Sequence, residues 1–221
     1  MYEGSKHSPV GEYNLFKRVL VLVKDPLPEN VSLSKCIEKI EKKIPERLLH
    51  DLDSVYIGQF EEFVERDINA FYRDGAIFVT NDQADVSDLT NDIVHEIAHS
   101  VEGYYKSQIY GDALLEREFL GKRRRLYDMM KQHELGIDIA RAQKLFFNLK
   151  YSLKFDNILY KTVGYPLLAS ISAGLFSNPY AITSLREYFA SGFEEYYMGD
   201  RLYLKKVSPH LYNKIIELNE E

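Results

Sequence analysis

The apolar positions change period about a third of the way along the chain. Residues 18–23 read RVLVLV, a short β-rich run stopped by Asp25-Pro26 and Pro28. Over residues 32–44 the spacing lengthens. Leu33, Cys36, Ile37, Ile40 and Ile44 recur every three or four positions, Lys and Glu fill the opposite face, and Pro45 interrupts. That pattern predicts an amphipathic helix with Cys36 in the core. Residues 54–57 read as a second strand. The segment INAFYRDGAIFVT sets two β-rich runs around Asp74-Gly75, a pair suited to the positive φ angles of a tight hairpin turn. Its second run, AIFVT, reads as an edge strand beside which an extended peptide could pair.

After the hairpin the period is helical. Ser87 or Thr90 is placed to cap the next helix and Gly103 to end it. Residues 112–134 and 137–159 are long charged-apolar segments, and 183–198 and 209–218 are shorter helices. Residues 1–14 read as a loose arm, and no repeat or low-complexity linker divides the remainder. Strands gather in the first third and helices in the rest, so the expected class is α+β. A small β-containing N-terminal part, a histidine-bearing helix and a largely helical C-terminal part would share one domain over residues 15–221.

Composition narrows the partners. With 45% hydrophobic and 28% charged residues, the 221-residue chain can bury a core and is not of the disordered class. A net charge of −6 does not suit a phosphate backbone or an anionic membrane. Cys36 has no second cysteine to pair with. The longest apolar run, 163–176, is broken by Gly164, Pro166 and Gly174 and is too short to span a bilayer. The first residues hold no apolar stretch of secretory length. The expectation is a cytoplasmic protein without a membrane segment, or a secreted one if a leader has been removed.

The sharpest chemical signal is HEIAH. His95 and His99 are four apart, so on a helix they leave the same face one turn from each other. Two imidazoles so spaced can meet one tetrahedral zinc at about 2.0–2.1 Å. Ile93, Val94, Ile97, Ala98 and Val101 form the apolar arc of the same helix, with the histidines beyond its edge. Glu96 stands beside His95, where it can take a proton from a metal-activated water as general base. The expected cofactor is one zinc ion per chain, and the expected substrate a protein or peptide.

A catalytic zinc needs a third protein ligand. Glu102 and Tyr105 replace the glycine and histidine that the metzincin pattern requires, which excludes that class. Glu102, on the same helix one turn further on, is poorly placed to close a tetrahedron, and a role behind a ligand or at the surface suits it better. The remaining candidates are Glu187, Glu194, Glu195, Glu116, Glu118, His133 and Glu134. Glu187 lies in LREYFASGFEEYY, an aromatic-rich helix in which a carboxylate needs a partner. Ser184-Leu185-Arg186-Glu187 is also a capping-box pattern, in which Glu187 would serve only the helix start. On pattern alone the two readings stand level.

HEIAH followed by SLREYFASGFEEYY resembles the glutamate zincins, or gluzincins, whose catalytic domain is like that of anthrax lethal factor, a group that includes small secreted Pro-Pro endopeptidases. The resemblance implies a zincin-like fold, zinc-dependent endopeptidase activity, Glu187 as third zinc ligand and Tyr180, seven residues earlier, as a transition-state donor. It covers about 20 residues around HEIAH and about 40 at the C-terminus. Two departures accompany it. Ser191 stands where the family carries a second glutamate that orients a histidine. His99 and Glu187 are 88 residues apart, which implies a helical insertion at about 105–164. Proline-proline specificity does not transfer.

Other features read as structural. Lys122, Arg123, Arg124 and Arg125 form the one strongly basic run, expected to be a solvated helix face paired with Glu116 and Glu118. A nucleic-acid-associated protease that used this run on phosphates is the less favoured alternative. A silent zincin-fold module that binds peptides is another, although it would have no chemical use for Glu96. His7, His50, His133 and His210 have no ligand-like spacing.

Overall fold

A computed structural model describes residues 10–66, 68–132 and 139–220. The chain forms two compact units, Met1–Tyr104 and Tyr105–Glu221. The class is α+β, with the strands in the first unit and, among the described residues, helices alone in the second.

The first unit is a five-stranded mixed sheet with helices α1 (Leu33–Lys43), α2 (Glu61–Arg66) and α3 (Val86–Tyr104). Its strands are β1 (Gly11–Leu15), β2 (Val19–Val23), β3 (Ser54–Ile57), β4 (Ala70–Arg73) and β5 (Ala76–Val79), in the order β1-β2-β3-β5-β4. The central three run parallel, and β1 and β4 pair antiparallel at the two edges. The sheet begins earlier than the hydrophobic pattern predicts, because Gly11–Leu15 pairs with β2 instead of belonging to an arm. Residues 1–9 of that expected arm lie outside the described residues. Asp74 (φ 49°) and Gly75 (φ 81°) make the expected tight turn between β4 and β5. The edge expectation is corrected: β5 lies between β3 and β4, so β4 is the edge.

Alternation decides which face is covered. Val19, Val21 and Val23, Val55 and Ile57, and Ile77 and Val79 are all buried, and the register aligns Val21, Val55 and Ile77, and Val23, Ile57 and Val79, across the three central strands. Leu33, Cys36, Ile37 and Ile40 form the buried stripe of α1, which Ser32 caps by accepting the Lys35 amide. Helix α3 packs against α1, β4 and β5. Each fully buried Ile, Leu or Val in this layer contributes about 1.5–3 kcal/mol. Burial pushes the Cys36 thiol up to about 11, which suits an inert core position.

The second unit contains α4 (Lys106–Tyr110), α5 (Leu114–Gln132), α6 (Ile139–Phe146), α7 (Leu153–Asn157), α8 (Tyr165–Ile171), α9 (Leu185–Met198), α10 (Arg201–Val207) and α11 (Pro209–Glu220). The predicted helix over 137–159 is interrupted. Asn148 accepts the Lys150 amide through its side chain, and the chain re-enters α7 and a π-helical turn, Ile158–Val163. No helix among the described residues is long and apolar enough to cross a membrane.

Candidate metal centre

Helix α3 carries HEIAH at its middle. Its start is set by Asp85, whose Oδ1 accepts the amides of Ser87 (2.6 Å) and Asp88 (3.0 Å). Ser87 and Thr90, the expected caps, both lie inside the helix, and the Thr90 hydroxyl donates back to the Val86 carbonyl. The helix also runs through Gly103 to Tyr104, because nothing there requires a positive φ. Leu89, Ile93, Val94, Ile97, Ala98 and Val101 are buried and anchor it.

The two imidazoles lie one turn apart, with ring centroids at 5.1 Å. His99 is buried and His95 half-buried, and Glu96 is buried between them in sequence. The Glu102 carboxylate lies 3.5 Å from His99 Nδ1. A carboxylate at Nδ1 favours the tautomer that turns the Nε2 lone pair outward, as in ligating histidines.

In the second unit, Ser184 and Glu187 open α9. The Glu187 amide donates to Ser184 Oγ at 3.1 Å, and the Glu187 side chain is buried. Ahead of this helix Tyr180 begins a single 3-10 turn, Tyr180–Ile182, and is half-buried. The turn is pinned. Thr183 donates to the Tyr180 carbonyl through its amide (3.0 Å) and its hydroxyl (2.8 Å). Asn178 Oδ1 accepts the Ala181 amide (2.8 Å) and the Ser191 hydroxyl (3.4 Å). Ser191, at the position where the resembled family has glutamate, thus ties the Tyr180 turn to α9.

Among the described residues, His95, His99 and Glu187 form a group of metal-ligating side chains. Each offers one nitrogen or oxygen atom, and the three atoms lie within 4.8 Å of one another. Two imidazoles and a carboxylate are a donor set that zinc accepts with one coordination position left over.

Other carboxylates among the candidates have structural work. Glu118 accepts the Tyr188 hydroxyl (2.8 Å) and the amides of His210 (2.9 Å) and Leu211 (3.2 Å), so it caps α11. Glu195 Oε1 accepts the Asp200 amide at 2.9 Å. Glu116 and Glu194 are half-buried on α5 and α9. His133 and Glu134 lie outside the described residues, as does His7.

The basic run is not a solvated face. Arg124 and Arg125 are exposed, but Lys122 and Arg123 are buried. Arg123 donates to the carbonyls of Leu145, Asn148, Ile182 and Thr183. It therefore satisfies both the end of α6 and the turn ahead of α9, and with Lys122 also buried, two of the four cations a phosphate-binding reading would need are removed. Lys122 Nζ reaches Ser208 Oγ at 2.5 Å and lies 4.8 Å from the centre of the Tyr188 ring.

Sequence reasoning missed a second polar group in this unit. Tyr151 donates to Asp156 Oδ2 at 2.7 Å, and the Tyr165 hydroxyl faces the same carboxylate. Neither residue type nor spacing marks these three in the sequence. Comparison with family models, with curated proteins and with solved structures finds no match.

Proposed function

We propose that the protein is a zinc-dependent endopeptidase of the gluzincin type, acting on protein or peptide substrates. The observation that carries this reading is the group of three ligand atoms from His95, His99 and Glu187. Those residues would hold one zinc per chain, with Glu102 orienting His99 through its Nδ1. When bound, zinc supplies the Lewis acidity that acidifies water and polarises a peptide carbonyl.

The chain's own residues do the remaining work. Glu96, one residue from His95 and outside the ligand group, takes a proton from the attacking water and returns it to the leaving amine. Tyr180, fixed by the Asn178 and Thr183 bonds, donates its hydroxyl to the oxygen on which negative charge develops. An extended substrate pairs along β4 rather than β5. Arg73 and Ala76 flank the two-residue turn and Thr80 donates to the Asn69 carbonyl, so the alternation of antiparallel pairs turns the backbone groups of Ala70 and Tyr72 away from β5.

Cleavage profiling of a peptide library tests the proposal. The expected result is cleavage of internal peptide bonds that chelation abolishes, zinc restores and Glu96→Gln lacks. Cleavage that persists in zinc-loaded Glu96→Gln protein overturns the mechanism.

A further inference from the structure

One carboxylate in the helical unit is left incomplete. Asp156 Oδ2 accepts the Tyr151 hydroxyl, whereas Oδ1 is buried and has no hydrogen-bond partner. A buried acceptor without a donor is costly, and it persists in folded proteins chiefly where something else satisfies it. Among the described residues the partners of Asp156 are phenols, and no Lys or Arg is paired with it.

The surroundings favour a cation. Tyr151 and Tyr160 are 49% and 51% exposed, too open for simple core residues. The Tyr160 and Tyr165 rings meet at 5.1 Å, and the Tyr151 and Tyr165 hydroxyls face the carboxylate; tyrosine ring faces attract ammonium and guanidinium groups and pack their aliphatic stems. The π-helical turn Ile158–Val163, closed by the Gly164 amide on the Leu159 carbonyl (3.0 Å), sets Tyr165 beyond Asp156. Gly164, at φ 84°, makes the bend that starts α8. Such turns within helical segments are frequent at functional sites. Burial and then Asp156 push the Tyr165 phenol up to about 12 and raise that of Tyr151 further, and Glu187 adds to both. The group is close enough to Glu187 to be felt by it.

We propose that Asp156, framed by Tyr151, Tyr160 and Tyr165, is a subsite for a cationic group of the substrate, the ammonium or guanidinium of a lysine or arginine. This rests on the peptidase reading above. The Asp156 Oδ1 takes the hydrogen bond it lacks, and the tyrosine rings hold the stem.

The test uses paired peptides that differ only by lysine, arginine or norleucine, each with a free or an acetylated amino terminus. Wild-type protein is expected to cleave the lysine or arginine peptides about 10- to 100-fold more efficiently than the norleucine peptide, the range of one charge-assisted hydrogen bond. Asp156→Asn should bring that ratio close to one. If Asp156→Asn does not fold, Tyr151→Phe, which keeps the carboxylate and removes the phenol that orients it, should lower the ratio by a smaller factor. A preference for the free terminus alone assigns the cation to the substrate's α-amine and overturns the side-chain subsite. A ratio of one in wild type, or one unchanged in both variants, overturns it outright. Binding of the same peptides to Glu96→Gln protein, read by fluorescence anisotropy, separates the two claims. Basic selectivity in binding without any cleavage by wild type contradicts the peptidase reading and keeps the subsite, whereas cleavage without selectivity does the reverse.

Discussion

The Glu187 amide donates to the Ser184 side chain at 3.1 Å, so the helix start is capped through the backbone of the residue whose carboxylate is one of the groups that could hold a metal ion. Cap and ligand looked like rival readings of Ser184 and Glu187, but they use different atoms and are compatible.

The two roles separate by mutation. Ser184→Ala should cost about 1 kcal/mol of stability and leave zinc binding nearly intact. Glu187→Gln should keep the backbone bond and weaken zinc binding sharply. Denaturation with metal titration measures both. Normal zinc affinity in Glu187→Gln, together with its loss in Glu194→Gln or Glu195→Gln, would move the ligand to another carboxylate of α9.

Glu102 makes a graded prediction. Its carboxylate lies at His99 Nδ1, so Glu102→Gln should lower zinc affinity by about 10- to 100-fold without abolishing binding. Competition with a chelator of known affinity measures the change. An unchanged affinity would leave the contact with no part in holding a metal.

Tyr180→Phe keeps the ring and the pinned turn and removes one donor. Folding and zinc occupancy should stay intact, while kcat falls by about 10²- to 10³-fold. Wild-type kcat in the folded, zinc-loaded variant would leave the donor to the developing oxyanion unidentified.

Lys122 makes stability depend on pH. Burial pushes its ammonium down from 10.5 to about 8, with Glu118 opposing that shift and Arg125 adding to it. The folded pKa lies below the unfolded one, so between those values the unfolded chain binds more protons and stability rises with pH. Below that window the cost of holding the charge is present in full. Lys122→Met should therefore gain on wild type by more than about 1 kcal/mol at pH 7 and lose that advantage by pH 11. Urea unfolding at the two pH values measures it. An equal effect at both would mean that the Ser208 bond and the Tyr188 contact, not the charge, set the energy of the site.

What the sequence made legible followed local pattern. Strand β3 ends where its apolar run ends, α1 starts at Ser32, and the Asp74-Gly75 turn has the backbone its residues favour. Less legible was whatever depends on distant partners. The Lys122–Arg125 run looks solvated because the carbonyls that bury Arg123 include those of Ile182 and Thr183, about 60 residues on. The edge position of β4 depends on strand order, which no local period records. At α3, Asp85, Ser87 and Asp88 all have capping side chains, and only the hydrogen bonds single out Asp85. In the candidate site, HEIAH was legible because helical spacing aligns its histidines. The Asp156 group was not, since an interrupted helix and a π-helical turn bring it together without a period.

Metal content of the purified chain and its variants tests the central claim most directly. Wild-type protein equilibrated with zinc and freed of excess should retain about one zinc per chain, as a three-ligand site requires. His95→Ala, His99→Ala and Glu187→Ala should each lose it while remaining folded. Stoichiometric zinc retained by folded His95→Ala and His99→Ala proteins, or wild-type protein that retains none, would contradict the account.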